Sequence, residues 1–112
     1  MKKIFRLKLQ RDFDHLFKRG RQISFGGITL KYAQNNLNHC RLAVIVSKKT
    51  AKSAVKRNLL RRRIGEIIRV RYLQKLVGWD IAFIPRAEIM EKSFSSLKEI
   101  IGLILEKAKI IQ

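Results

Sequence analysis

Between Ser47 and Arg71 the chain sets ten basic residues against a single acid, Glu66. Few arrangements can hold such a stretch. Ten like charges repel one another and must reach water or a polyanion. Yet the segment also carries apolar residues at helical spacing. Laid out at about 100° per residue with Val55 at zero, Leu60, Ile64, Ile67 and Ile68 fall at about 120–220°. That is one core-facing sector. Asn58, Arg61, Arg62, Gly65 and Arg69 fall at about 240–340°, a second contiguous face. The segment therefore reads as a surface helix over 54–71, one stripe on a core and the other face offering cations. Lys56 and Arg57 stand in its first turn, and a basic loop with Lys48, Lys49 and Lys52 precedes it. Gly65 is the only helix breaker, costing about 1 kcal/mol against alanine. It either lets a sugar-phosphate backbone approach closely or accommodates packing.

The flanking chain supplies the core. RLAVIV (41–46) and WDIAFIP (79–85) read as strands. With the basic helix between them they form a strand–helix–strand unit, so they should be parallel. Residues 22–34 read as a hairpin, QISF and ITLKYA around Gly26-Gly27. Ile28, Leu30 and Tyr32 share one face of its second strand, and Thr29 and Lys31 share the other. In 10–19, Phe13, Leu16 and Phe17 mark one face of a short helix that Gly20 stops. Residues 1–9 read as an extended basic arm. The last helix, roughly 93–109, has an apolar stripe of Phe94, Leu97, Ile101, Ile104, Leu105 and Ala108. Ser96 and Glu99 have capping-box spacing there, with Ser93 a rival start. The order is α-β-β-β-α-β-α. The expectation is a single α/β (α+β) domain over 1–112, a two-layer sandwich on a mixed four-stranded sheet.

A net charge of +18 alongside 46% apolar residues means a real core under strong self-repulsion. A polyanion is the expected partner, either nucleic acid or an anionic membrane surface. No run of 18 apolar residues exists to span a bilayer. Met1–Arg11 lacks the continuous apolar centre of a signal peptide. Cys40 is the only cysteine, which excludes an internal disulfide and fits the cytoplasm.

Catalytic chemistry is hard to find. The eight acids are dispersed. Asp12 and Asp14 lie at i, i+2 and do not face each other on a helix. A two-metal nuclease needs clustered carboxylates. His15 has no evident partner, and His39-Cys40 offers too few ligands for zinc. No P-loop or dinucleotide pattern occurs. No catalytic residue and no metal ligand is assigned to the protein. The basic face, flanking Asn58 and nearly free of acids, points instead to nucleic acid. Phe13 and Phe17 are either core residues or platforms for unpaired bases. Lys31 is either a solvated strand residue or one wall of a basic groove.

VSKKTAKSAVKRNLLRRRIGEIIR (46–69) resembles the signature of the bacterial ribonuclease P protein subunit, where a strand ends in Ser-Lys-Lys and a helix carries an Arg-Asn-Arg-type motif. RLKLQRDFDHLFKRG (6–20) resembles that family's first helix, and DIAFIPR (80–86) also fits in order and spacing. The resemblance spans nearly the whole chain. It implies an α/β sandwich with a left-handed crossover around the basic helix. It implies a protein that binds ribonuclease P RNA, the catalytic subunit, which cleaves precursor tRNA to leave the mature 5′ end. Mg²⁺ would be bound mainly by the RNA. Arg57, Asn58, Arg61 and Arg62 match the helix motif, with Lys56 and Arg69 on the same helix, and Lys48 and Lys49 match the basic turn. Phe13 and Phe17 match aromatics of a cleft that holds the 5′ leader, beside Lys31. No membrane and no obligate protein partner is expected.

Two positions depart from the family pattern. Leu59 stands at a usually basic motif position, and Gly65 where a further arginine is common. Arg63 does not replace the latter, because it projects to about 80° rather than 280°. Three rival readings remain: a structural RNA-binding protein, a self-sufficient metal nuclease and a membrane-surface protein. The dispersed acids speak against the second. The few basic residues opposite the apolar stripe of the last helix speak against the third.

Overall fold

The computed structural model describes residues 5–111. Along the chain run β1 (Phe5–Arg6), α1 (Gln10–Arg19), β2 (Arg21–Phe25), β3 (Ile28–Gln34), β4 (Arg41–Val44), α2 (Ala54–Ile67), β5 (Trp79–Pro85) and α3 (Phe94–Lys107). The α+β architecture matches the expectation, but the sheet has five strands, ordered β1-β4-β5-β3-β2. β4 and β5 are parallel, as the strand–helix–strand reading requires, and β3 runs antiparallel to both β5 and β2.

The fifth strand, which corrects the expected count of four, comes from the residues read as an extended basic arm. Phe5 and Arg6 pair in parallel with Arg41 and Leu42. The Leu7 N–H then donates to the Leu42 carbonyl at 3.0 Å, and the Leu7 side chain is buried. Two residues carry no periodicity of their own; the open edge of β4 and the burial of Leu7 hold them. Residues 1–4 of the expected arm lie outside the described residues.

The β2–β3 turn uses both glycines at positive φ, Gly26 at 63° and Gly27 at 91°. That is the backbone twist a two-residue hairpin prefers. Alternation then sorts the sheet into two faces. Ile28, Leu30, Tyr32, Leu42, Ile81 and Phe83 meet Leu60, Ile64, Ile67 and Ile68 of the basic helix and Leu97, Ile101, Ile104 and Leu105 of α3. This is the main core, and the sector expected of α2 is the one buried. The other face is made of small residues, Ala33, Ala43 and Ala82, with Ile45. On it rests α1, through Leu16 and Phe13.

Two helix ends differ from expectation. The α-helical bonding of α2 stops at Ile67, and a π-helical turn (Ile68–Tyr72) continues it. Ile68 stays fully buried through this change. For α3 the rival cap prevails: the Ser93 Oγ accepts from the Ser96 N–H at 3.1 Å. Ser96 is thus inside the first turn and does not start the helix. Phe94, expected in the apolar stripe, is 40% exposed. It is the first helical residue.

Candidate nucleic-acid interface

A cleft of about 1120 Å³ lies between the edge of β4 and α2. Its helical wall holds Asn58, Arg61, Arg62, Gly65 and Arg69, the face laid out from periodicity, together with Val55, Leu59 and Glu66. Its opposite wall is β4 and the residue after it, from Leu42 to Ile45, with Arg6, Leu7 and Phe13 at one end. The cleft exists because β1 is so short. Pairing covers only Arg41 and Leu42, leaving β4 uncovered beyond them. The Ile45 N–H donates inward to the Phe83 carbonyl at 2.9 Å. By the alternation of a parallel ladder, the backbone of Val44 faces the cleft.

The helical wall is cationic, with local order. Arg61 donates to the Asn58 side-chain oxygen, one turn earlier. Arg69 pairs with Glu66, an exposed i, i+3 contact that tempers one charge of the row. Gly65 has open space where a side chain would begin: an added Cβ meets nothing within 4 Å. Packing does not demand this glycine.

Arg57 behaves differently from its motif partners. At about 200° it falls within the core-facing sector. Its Nη1 donates to the carbonyls of Ala51 at 2.9 Å and Lys52 at 2.8 Å. The Thr50 hydroxyl donates to the Pro85 carbonyl at 2.8 Å, and the Thr50 and Ala51 amides donate to the Ser47 carbonyl. The basic loop is thereby held onto the sheet and the start of α2. Lys48 and Lys49 stand exposed on it, and Lys56 is exposed in the first turn of the helix. The loop joins Ile45 to Val55, both of which line the cleft, so its charges sit at that end of the opening.

The aromatics divide. Leu16 anchors α1, at 1% exposure, and Phe13 is half-buried, lining the cleft. Phe17 is 41% exposed, which makes it a surface residue. Its ring centroid lies 6.1 Å from that of Phe13, and the Lys31 Nζ stands 5.1 Å from the Phe17 ring centroid. Phe17 and Lys31 therefore form a cation–π pair beside the cleft, reached from it by way of Phe13.

One network was not legible in advance. Asp80, 2% exposed, accepts from Arg41 Nε at 2.8 Å, Arg41 Nη2 at 2.7 Å and Asn35 Nδ2 at 2.8 Å. Arg41 Nη1 reaches Asp12 of α1 at 2.9 Å. The hydrogen bonds to Asp80 raise the Arg41 pKa further above its ordinary value. One guanidinium thus ties β4, β5 and α1 together and sets the residue beside Asp12, Phe13, against the cleft. Next to it, burial first and the Asp80 charge second push the Cys40 thiol up to about 12. Among the described residues, no three of His, Cys, Asp and Glu are grouped as a metal site would require. Three of the acids are engaged by arginine: Asp12, Asp80 and Glu66. Also among the described residues, no helix is long and apolar enough to cross a membrane.

Comparison with known proteins places this geometry. A family model described as Ribonuclease P matches residues 1–109. The ribonuclease P protein component of Roseiflexus castenholzii is 33% identical over 113 residues, covering 100% of this chain and 92% of that one. That of Petrotoga mobilis is 38% identical over 96 residues, covering 86% and 80%. The solved RNase P protein of Staphylococcus aureus superposes with a TM-score of 0.87 at 27% identity, covering 98% of this chain and 100% of that one. The RNase P protein of Thermotoga maritima gives 0.81 at 29% identity, covering 91% and 96%.

Proposed function

The chain belongs to the ribonuclease P protein family, and on that premise we propose that it binds ribonuclease P RNA and the 5′ leader of precursor tRNA, assisting removal of the leader. One observation supports this above the others: a single cleft joins the cationic face of α2 to an aromatic of α1. A polyanion laid along Asn58, Arg61, Arg62 and Arg69 has cations on one side. At the other end of the cleft, Phe13 and then Phe17 with Lys31 offer faces to unpaired bases. Base–aromatic stacking tolerates any sequence, as a leader of varied sequence requires.

Cleavage belongs to the RNA in this reading. The arginine-engaged Asp12, Asp80 and Glu66 do not fit a protein-held pair of metal ions. Mg²⁺ is held mainly by the RNA, where it supplies the hydrolytic chemistry. The protein neutralises phosphates where two RNAs meet, so each cation of the cleft lowers the repulsion between catalyst and substrate. Lys48 and Lys49, on the loop whose end Arg57 braces, and Lys56 extend this charge beyond the cleft. The protein works in the cytoplasm, without a membrane and without an obligate protein partner.

The test is cleavage of a 5′-extended precursor tRNA at low-millimolar Mg²⁺. The protein alone, a bacterial ribonuclease P RNA alone and both together are compared. Cleavage that requires both is the expected result. Cleavage by the protein alone would show an active site in the chain. No gain on mixing, with tight binding to other structured RNA, would make this a structural RNA-binding protein.

A further inference from the structure

The cleft occupies one flank of α2, and beside it, sharing Leu59, lies a second surface of which the proposed function uses only the charge of Lys56. Leu59 of α2, Met90 of the 3₁₀ turn at Ala87–Glu91 and Phe94 of α3 meet in one shallow groove. They are 39%, 36% and 40% exposed. Single exposed apolar residues are ordinary, but three converging from separate elements mark a contact surface. Lys56, Arg63 and Lys92 line the same groove, and no carboxylate does. The Lys98 Nζ stands 4.9 Å from the Phe94 ring centroid. Leu59 is also the position where the family pattern calls for a basic residue, so here an apolar side chain stands among cations.

We infer that this groove is a second RNA contact, which receives an unpaired nucleotide of the same RNA that the cleft face of α2 engages. The inference rests on the RNA-binding reading above. The cations match a phosphate, and the exposed Phe94 side chain supplies an aromatic face for a base. A duplex offers phosphates but no free base face, so the nucleotide must be unpaired. The groove holds only about 30 Å³, room for no more than about two or three waters. A base therefore lies across it and does not enter it. A second copy of the chain is the poorer occupant. It would bring a net charge of +18 and, in a symmetric contact, set these same cations against one another.

The test measures binding of a ribonuclease P RNA over a range of salt to four proteins: wild type, Phe94→Leu, Phe94→Trp and the double variant Arg61→Ala/Arg62→Ala. Thermal melting checks folding, and sedimentation reports oligomeric state. Leucine keeps the apolar volume but removes the aromatic face. Phe94→Leu should bind about 5- to 30-fold more weakly, with Phe94→Trp restoring affinity. Its slope of log K against log salt should match wild type, because no charge is lost. The arginine double variant should flatten that slope by about 1.4 to 1.8. Wild-type affinity for Phe94→Leu, with the arginine variant impaired, would overturn the groove and leave the RNA reading intact. Failure of the wild type to bind the RNA would overturn both. A wild-type dimer that Phe94→Leu turns into a monomer, with RNA affinity unchanged, would assign the groove to a second copy and overturn the inference.

Discussion

Replacing Gly65 with alanine should move stability and RNA affinity in opposite directions. Gly65 lies inside α2, where glycine is about 1 kcal/mol less favourable than alanine. The added methyl meets no atom within 4 Å, so no steric penalty offsets the gain. For a chain of this length, about 1 kcal/mol corresponds to a rise in Tm of roughly 4–6 °C. The same methyl projects into the cleft between Arg61, Arg62 and Arg69. If a sugar-phosphate backbone lies against the glycine, it must move outward. Losing one charge-assisted hydrogen bond costs about 1.5–3 kcal/mol, tenfold or more in Kd. The assay pairs thermal melting of the free protein with RNA binding at fixed salt. A higher Tm with unchanged affinity would refute close approach at Gly65. A lower Tm would mean that the glycine accommodates packing after all. A Gly65→Arg variant with much higher affinity and full activity would also count against the idea.

Phe17→Ala should weaken binding of leader-bearing precursor and spare mature tRNA, with little change in Tm because the ring is already exposed; equal losses for both RNAs would return the ring to a structural role. Arg57→Ala removes the Nη1 that donates to the carbonyls of both Ala51 and Lys52. Trypsin should then cut faster at Lys48, Lys49 and Lys52, and unchanged digestion would argue that the loop is held without Arg57. Asp80→Ala strips Arg41 and Asn35 of their shared acceptor. It should cost about 3 kcal/mol in urea unfolding, the low end for a buried pair because Arg41 keeps 23% side-chain exposure. Cys40 supplies a pH prediction. The folded thiol holds its proton to about pH 12, against an ordinary value of 9.0. Between those values the unfolded chain binds fewer protons, so stability falls as pH rises above 9.0, by at most about 1.4 kcal/mol per pH unit. Urea unfolding of wild type and Cys40→Ala, followed up to about pH 11, should show their difference shrinking.

The helical wall of the cleft was legible because amphipathic periodicity fixes a face without reference to anything else. Leu60, Ile64, Ile67 and Ile68 had to turn inward, and that placed Arg61, Arg62 and Asn58 outward. Arg57 lay within the inward sector by the same arithmetic, but only the path of the Ser47–Lys52 loop gives its guanidinium carbonyls to bind. The strand at Phe5–Arg6 carries no pattern, since two residues cannot alternate. Asp80 looked isolated because its partners Arg41 and Asn35 are 39 and 45 positions away. Sheet order brings such residues together, and order depends on pairings that local spacing does not encode. Phe94 kept the spacing of the α3 stripe and still emerged at the surface.

The strand order has a consequence for synthesis. β5 is the inner strand, flanked by β3 and β4, yet it is made after both. Until Pro85 has left the ribosome, β4 lacks its neighbour, and β1 has no stable edge to join. Asp80, which holds Arg41 and through it α1, arrives in the same late segment. At about 5–20 residues per second, the hairpin and the basic segment emerge seconds before the partners that order them. The nascent chain therefore carries its cations out before the sheet that α2 packs on is complete. The arrival of β5 seats their helical face beside the edge of β4.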